Sequence, residues 1–170
     1  EDISHMKDKI IYYESSRGCP FGCRYCLSST TKGVRFFALS RVLAELQFFI
    51  DHKVRQVKFV DRTFNSKPEH YLAIFEFLAA QDTETNFHFE ITVDLITEDV
   101  LSFLETVPKG RFQFEIGIQS TYQPALQAVG RTNHWETIAA NVRRIKSFHN
   151  IHMHLDLIAG LPYEDMENFA

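Results

Sequence analysis

In three separate runs of the chain, apolar and polar residues alternate one for one. Phe87, Phe89, Ile91 and Val93 interleave with His88, Glu90, Thr92 and Asp94. Phe112, Phe114, Ile116 and Ile118 interleave with Gln113, Glu115 and Gln119, and Ile151, Met153, Leu155 and Leu157 with His152, His154 and Asp156. Period-two alternation predicts strands with one apolar and one polar face. Two shorter apolar runs, 10–13 and 56–60, predict two earlier strands. Helical spacing fills the gaps. Val42, Leu43, Leu46, Phe49 and Ile50 mark a helix over 40–52 with Ser40 as N-cap. A second helix, 68–80, carries Ser66 and Glu69 in a capping-box pattern and Pro68 in its first turn. A third spans 97–105, opened by Thr97 with Glu98 and Asp99 behind it. A fourth spans 134–148, begun by Asn133 with Glu136 three residues on, and another starts at Tyr163.

Strands alternating with helices predict an α/β fold with a parallel sheet. Parallel strands covered by helices on both faces would be apolar throughout, and these are not. One face must carry the helices while carboxylates, imidazoles and amides line the other. The expected architecture is therefore a partial, open (β/α) barrel around a polar lumen, with five parallel strands present and the last unit truncated. Residues 1–9 are charged and unpatterned and read as a linker from an absent upstream domain; 10–170 form the barrel, incomplete at its C-terminal end. Sites on such barrels gather at the C-terminal ends of the strands. That rule makes Asp61, Glu90, Asp94, Gln119, Arg131 and Asp156 candidates. Taken singly, each reads as well as an interior hydrogen bond or ion pair.

Composition narrows the classes. A chain of 170 residues that is 45% hydrophobic, with 16 phenylalanines, suffices for one domain with a sizeable core. Its net charge of −4 gives no global basic field, so nucleic acid is not indicated as a partner. No apolar run approaches the roughly 20 residues of a membrane span. With no signal-peptide pattern and an odd cysteine count, the expected compartment is the cytoplasm.

The chemistry concentrates in Cys19-Pro20-Phe21-Gly22-Cys23-Arg24-Tyr25-Cys26, which holds all three cysteines of the chain. Three thiolates are one fewer than a closed tetrahedral site needs. An iron–sulfur cube held by three cysteines leaves one iron open to another molecule. The competing reading is a structural zinc, completed by His5 or His52, in a binding module without catalysis. Zinc spacings usually pair two such arms across a longer loop, and no second arm exists here. A disulfide is weaker still for an odd count. His152-x-His154-x-Asp156 could in principle hold a second metal, but reads more simply as lumen residues paired with Glu115 or Gln113. Lys58, on the lumen side of its strand, is placed to answer some of the carboxylates.

Cys19-x3-Cys23-x2-Cys26 at the end of a first barrel strand resembles the signature of the radical S-adenosylmethionine (radical SAM) superfamily. The words around it, Ser16-Arg17-Gly18 before and Pro20-Phe21-Gly22, Arg24 and Tyr25 within, are especially similar to members with an N-terminal cobalamin-binding domain. These include methyltransferases and magnesium-protoporphyrin monomethyl ester oxidative cyclase-like proteins. The resemblance implies that the cysteines bind a [4Fe–4S] cluster whose fourth iron chelates S-adenosylmethionine (SAM). It also implies reductive cleavage of SAM to methionine and a 5′-deoxyadenosyl radical, with cobalamin a further cofactor bound outside this chain. A low-potential donor such as flavodoxin or ferredoxin would supply the electron.

The resemblance also assigns positions. Tyr25 matches an aromatic position near adenine, and Glu90 a third-strand carboxylate near SAM. Gln119, in Gly117-Ile118-Gln119-Ser120, matches a ribose-binding segment. Arg131, after Gly130, matches a guanidinium that holds the SAM carboxylate. Asp156 matches a ribose acceptor, and Gly160, in Gly160-Leu161-Pro162, a close backbone approach to adenine. Where many relatives carry Gly-Gly-Glu to bind the methionine amino group, this chain has Asp61-Arg62-Thr63-Phe64-Asn65, leaving Asp61 as the candidate substitute.

Overall fold

The computed structural model describes residues 9–31 and 33–169. Its sheet contains β1 (Ile10–Tyr13), β4 (Gln56–Phe59), β5 (Asn86–Ile91), β6 (Phe112–Gln119) and β7 (His152–Leu157), ordered as named and all parallel. This is the expected open barrel of five strands. A separate antiparallel hairpin, β2 (Ser16–Cys19) with β3 (Gly33–Phe36), carries the cysteine loop between its arms.

Register aligns the two faces as the alternation predicts. Phe87 pairs with Phe112 and Phe89 with Phe114, while Glu90 pairs with Glu115, and Glu115 in turn with His154. On the apolar side lie α1 (Leu39–Asp51), α2 (Pro68–Ala79), α3 (Glu98–Thr106) and α5 (Trp135–Phe148). Val42 and Leu46 of α1, Ile74, Phe75 and Leu78 of α2, Leu104 of α3 and Ile145 of α5 are almost wholly buried in one core with the strand phenylalanines. Phe75 sits at the centre. Its ring lies 4.9 to 6.0 Å from those of Phe64, Phe89, Phe112 and Phe114, within the range where aromatic pairs attract beyond their area. Helix cover ends at β7, where Leu155 and Leu157 are 50% and 54% exposed.

Local differences from expectation have physical causes. Helix α1 begins two residues earlier than Ser40 as N-cap implies, with Ala38 in that place. Ser66 cannot cap α2 because it ends a 3-10 turn, Phe64–Ser66; extended Lys67 takes the N-cap and Pro68 opens the helix. Asn133 does not cap α5, whose N-cap is His134. Its amide instead donates to the Ile118 carbonyl and accepts from Arg131 Nε. The hairpin and the short α4 (Gln123–Ala128) lack the long periodic runs that betray an element, and α6 (Met166–Phe169) starts later than Tyr163.

The joint between β1 and the hairpin is fixed by a buried carboxylate. Asp61, just past β4 and 1% exposed, accepts from the Ser15 backbone N–H (3.0 Å), the Ser15 hydroxyl (2.7 Å) and the Ser16 hydroxyl (2.6 Å). The Ser15 carbonyl accepts from Phe37 N–H beyond the returning arm, and His70 Nε2 lies 3.3 Å from the Ser15 hydroxyl. Burial pushes the Asp61 carboxyl up, and these hydrogen bonds offset only part of that rise.

Phe75→Ala is expected to cost about 3–5 kcal/mol in urea unfolding, whereas Phe48→Ala, 45% exposed, should cost far less. Asp61→Ala strands three buried donors and should cost about 3 kcal/mol. An unchanged urea midpoint for that variant would remove Asp61 from its structural role.

Candidate functional site

The cysteine loop leaves β2 at Cys19 and is docked at two points. Gly18, at φ +107°, lets β2 pass so close to β3 that a Cβ there would lie 2.2 Å from the Gly33 carbonyl oxygen. Further on, Arg24 N–H donates to the Val129 carbonyl and its guanidinium to the Ala128 carbonyl. A cation thus meets the C-terminal end of α4, where carbonyls lack helical partners. Between these anchors the Cys23 carbonyl accepts from Cys26 N–H, and a 3-10 turn, Leu27–Thr30, closes the loop.

Cys19, Cys23 and Cys26 all face one cavity of about 250 Å³ at the C-terminal rim of the sheet. Glu90, Gln119, Arg131, Asp156 and Tyr25 line it as well, so the structure brings together five of the eight non-cysteine residues named for the site. The other three lie elsewhere. Asp61 is consumed by Ser15 and Ser16, which leaves no carboxylate oxygen directed at the cavity and corrects its expected role at the methionine amino group. Gly160 sits at φ +88° on the turn after β7 and does not line this cavity. Asp94 faces a neighbouring recess of about 210 Å³, which shares Phe21, Cys23 and Arg131 with the main site.

Arg131 is held from three sides. Nε donates to Asn133 Oδ1 (2.9 Å), Nη2 to the Gly117 carbonyl (2.5 Å), and Nη1 lies 3.9 Å from Cys23 Sγ. Gln119 adopts φ +70°, rare for a side chain with a Cβ. This coincides with a register shift between β6 and β7 at Gly117 and Gln119. The Gln119 amide folds back over Gly117: a Cβ there would lie 2.2 Å from Gln119 Nε2. Burial pushes the Tyr25 phenol up, with Arg131 opposing.

Below the cavity the polar face forms a network. Lys58 Nζ lies 2.9 Å from Glu115 Oε2, the answer to a carboxylate that its position suggested. Burial alone would raise the Glu115 carboxyl, but Lys58 more than reverses that. His88 Nε2 lies 3.0 Å from the same oxygen, off the line of a hydrogen bond, and burial and Lys58 hold its pKa low. Glu90 is raised, first by burial and then by Glu115. Gln113 Nε2 lies 2.6 Å from His154 Nε2, the pairing within the polar face expected of His154.

Among the described residues no three His, Cys, Asp or Glu side chains converge closely enough for a single metal ion. His5 lies outside the described residues, and His52 is exposed at the end of α1 with its Nδ1 on the Phe48 carbonyl. A cubane makes a different demand: each cysteine takes its own iron, so the sulfurs need only face one cavity. That donor set fits a cluster with an open corner. Arg62, Thr63 and Glu115 also line the cavity. From sequence the first two are marked only as part of the segment that stands where many relatives carry Gly-Gly-Glu, with Asp61 taken as its functional member, and Glu115 only by its place on the polar face.

Over 164 residues the chain is 27% identical to the 2-(S-pantetheinyl)-carbapenam-3-carboxylate methyltransferase of Streptantibioticus cattleyicolor, covering 92% of this chain and 24% of that protein. The cobalamin-dependent radical SAM methyltransferase TokK of Streptomyces tokunonensis matches with the same identity and the same two coverages. In fold, the chain resembles the radical SAM methyltransferase TsrM of Kitasatospora setae, solved with tryptophan and a SAM analogue. The TM-score is 0.80 at 16% identity over 96% of this chain and 33% of that one. The chain spans about a quarter of the length of the first two relatives. Residues 13–170 match the model of the radical SAM superfamily, and the chain belongs to that family.

Proposed function

We propose that this chain is the catalytic core of a radical SAM enzyme whose complete protein transfers a methyl group with the help of cobalamin. The observation that carries the reading is the convergence of three cysteines with Glu90, Gln119, Arg131 and Asp156 on one cavity. A [4Fe–4S] cluster and SAM, when bound, would supply one-electron reductive cleavage chemistry. This chain's residues do the holding. Cys19, Cys23 and Cys26 would each ligate one iron. Arg131, immobilised by Asn133 and the Gly117 carbonyl, presents its remaining donors to the SAM carboxylate. Gln119 and Asp156 address the ribose, and Tyr25 packs near adenine.

Two features support methyl transfer over oxidative cyclisation: the relatives at 27% identity are methyltransferases by name, and one of them is cobalamin-dependent. Cobalamin would be held outside residues 1–170, and the electron would come from a low-potential carrier. Among the described residues no helix is long and apolar enough to cross a membrane.

Anaerobic reconstitution with iron and sulfide should give a brown protein with about four irons per chain, and Cys23→Ala should lose them. A colourless protein holding one zinc would overturn the proposal in favour of a zinc-stapled module. Arg131→Ala should keep its iron but bind SAM about ten- to a hundred-fold more weakly, as read from the SAM-induced change in the reduced cluster's EPR signal. Unchanged SAM binding would remove Arg131 from the carboxylate role.

A further inference from the structure

Thr63 is the residue closest in kind to a tuning group for the cysteines. Its Oγ1 lies 3.6 Å from Cys19 Sγ, and it also donates to the Arg62 carbonyl at 2.8 Å. The side chain is 5% exposed, and its neighbours lock it in place. Phe64 is buried against Phe59, Phe75 and Phe89. The Asn65 side chain clamps the Thr92 backbone, donating to its carbonyl and accepting from its N–H. Thr63 is thus mounted on the aromatic core and on the residue that follows β5.

A hydroxyl has one proton to give. Against a neutral Cys19 thiol, Thr63 can accept from sulfur and spend its own proton on the Arg62 carbonyl. Iron binding removes the thiol proton, and the thiolate can then only accept. An anionic acceptor gives a stronger hydrogen bond than a neutral carbonyl, so the hydroxyl rotor turns to the sulfur. Reduction adds negative charge to the cluster and its ligands. A donor at one sulfur stabilises that added charge and makes the cluster easier to reduce.

We infer that the Thr63 hydroxyl hydrogen-bonds the Cys19 thiolate and raises the reduction potential of the cluster. The inference rests on the cluster reading above. The test is an EPR-monitored redox titration of the full-length protein, reconstituted with iron and sulfide and free of SAM. Thr63→Val, which replaces the hydroxyl by a methyl of the same size, should shift the midpoint to a more negative potential. Thr63→Ala should shift it the same way, and Thr63→Ser should restore it. A Thr63→Val midpoint equal to that of the unsubstituted protein overturns the inference, as does a Thr63→Ser midpoint equal to that of Thr63→Val. If the unsubstituted protein takes up no iron, the cluster reading fails first and this inference with it.

Discussion

A carboxylate that water scarcely reaches decides where the cysteines can be. Asp61 gathers the Ser15 N–H and the hydroxyls of Ser15 and Ser16, and so fixes the point where the chain turns out of β1 into the hairpin. Desolvating such a group is costly, and only a full set of donors makes the burial tolerable. Cys19 lies three residues beyond Ser16 on β2, so the angle of that joint sets the first sulfur directly. The remaining sulfurs follow from the Arg24 contacts with the end of α4, which tie the far side of the loop to the segment just before Arg131. Two separate sets of hydrogen bonds, one buried at Asp61 and one at the end of α4, position the sulfurs against the cavity wall.

The sheet supplies the second half of the arrangement. Parallel strands end together, so residues following β1, β4, β5, β6 and β7 meet on one rim without long excursions. Because the apolar face is saturated by phenylalanine and helix side chains, the lumen face is free to be polar. It keeps its charges answered locally, with Lys58 held against Glu115 beside His88. Glu90 of this row lines the cavity together with the cysteines, and its raised carboxyl pKa reflects burial beside Glu115.

Legibility from sequence followed the length of the periodic signal. The runs at 87–93, 112–118 and 151–158 gave strand, face and parity together, because each side chain's face is fixed by counting. The cysteine spacing anticipated that three sulfurs would face one cavity. The hairpin stayed hidden because its arms are four residues each and one contains Gly18, with no alternation to read. Asp61 was placed at the cavity because strand-end position does not say which way a side chain turns; Ser15 and Ser16, distant in sequence, decided that. Asn133 looked like a helix cap for the same reason, its amide being claimed by Ile118 and Arg131. Arg62 and Thr63 were marked only as neighbours of Asp61 in the segment after β4, and the fold shows that they, and not Asp61, line the cavity with the sulfurs.

The glutamine at 119 shows how tightly the rim is built. Its left-handed backbone brings the amide back across residue 117, where any side chain at all would collide with it. The carbonyl of 117 in turn receives Arg131. A methyl at 117 therefore obliges the Gln119 amide to swing aside, while the backbone carbonyl of 117 still serves Arg131. The absence of a side chain at 117 is thus what lets the amide lie where it does, a vacancy in one residue shaping the reach of another.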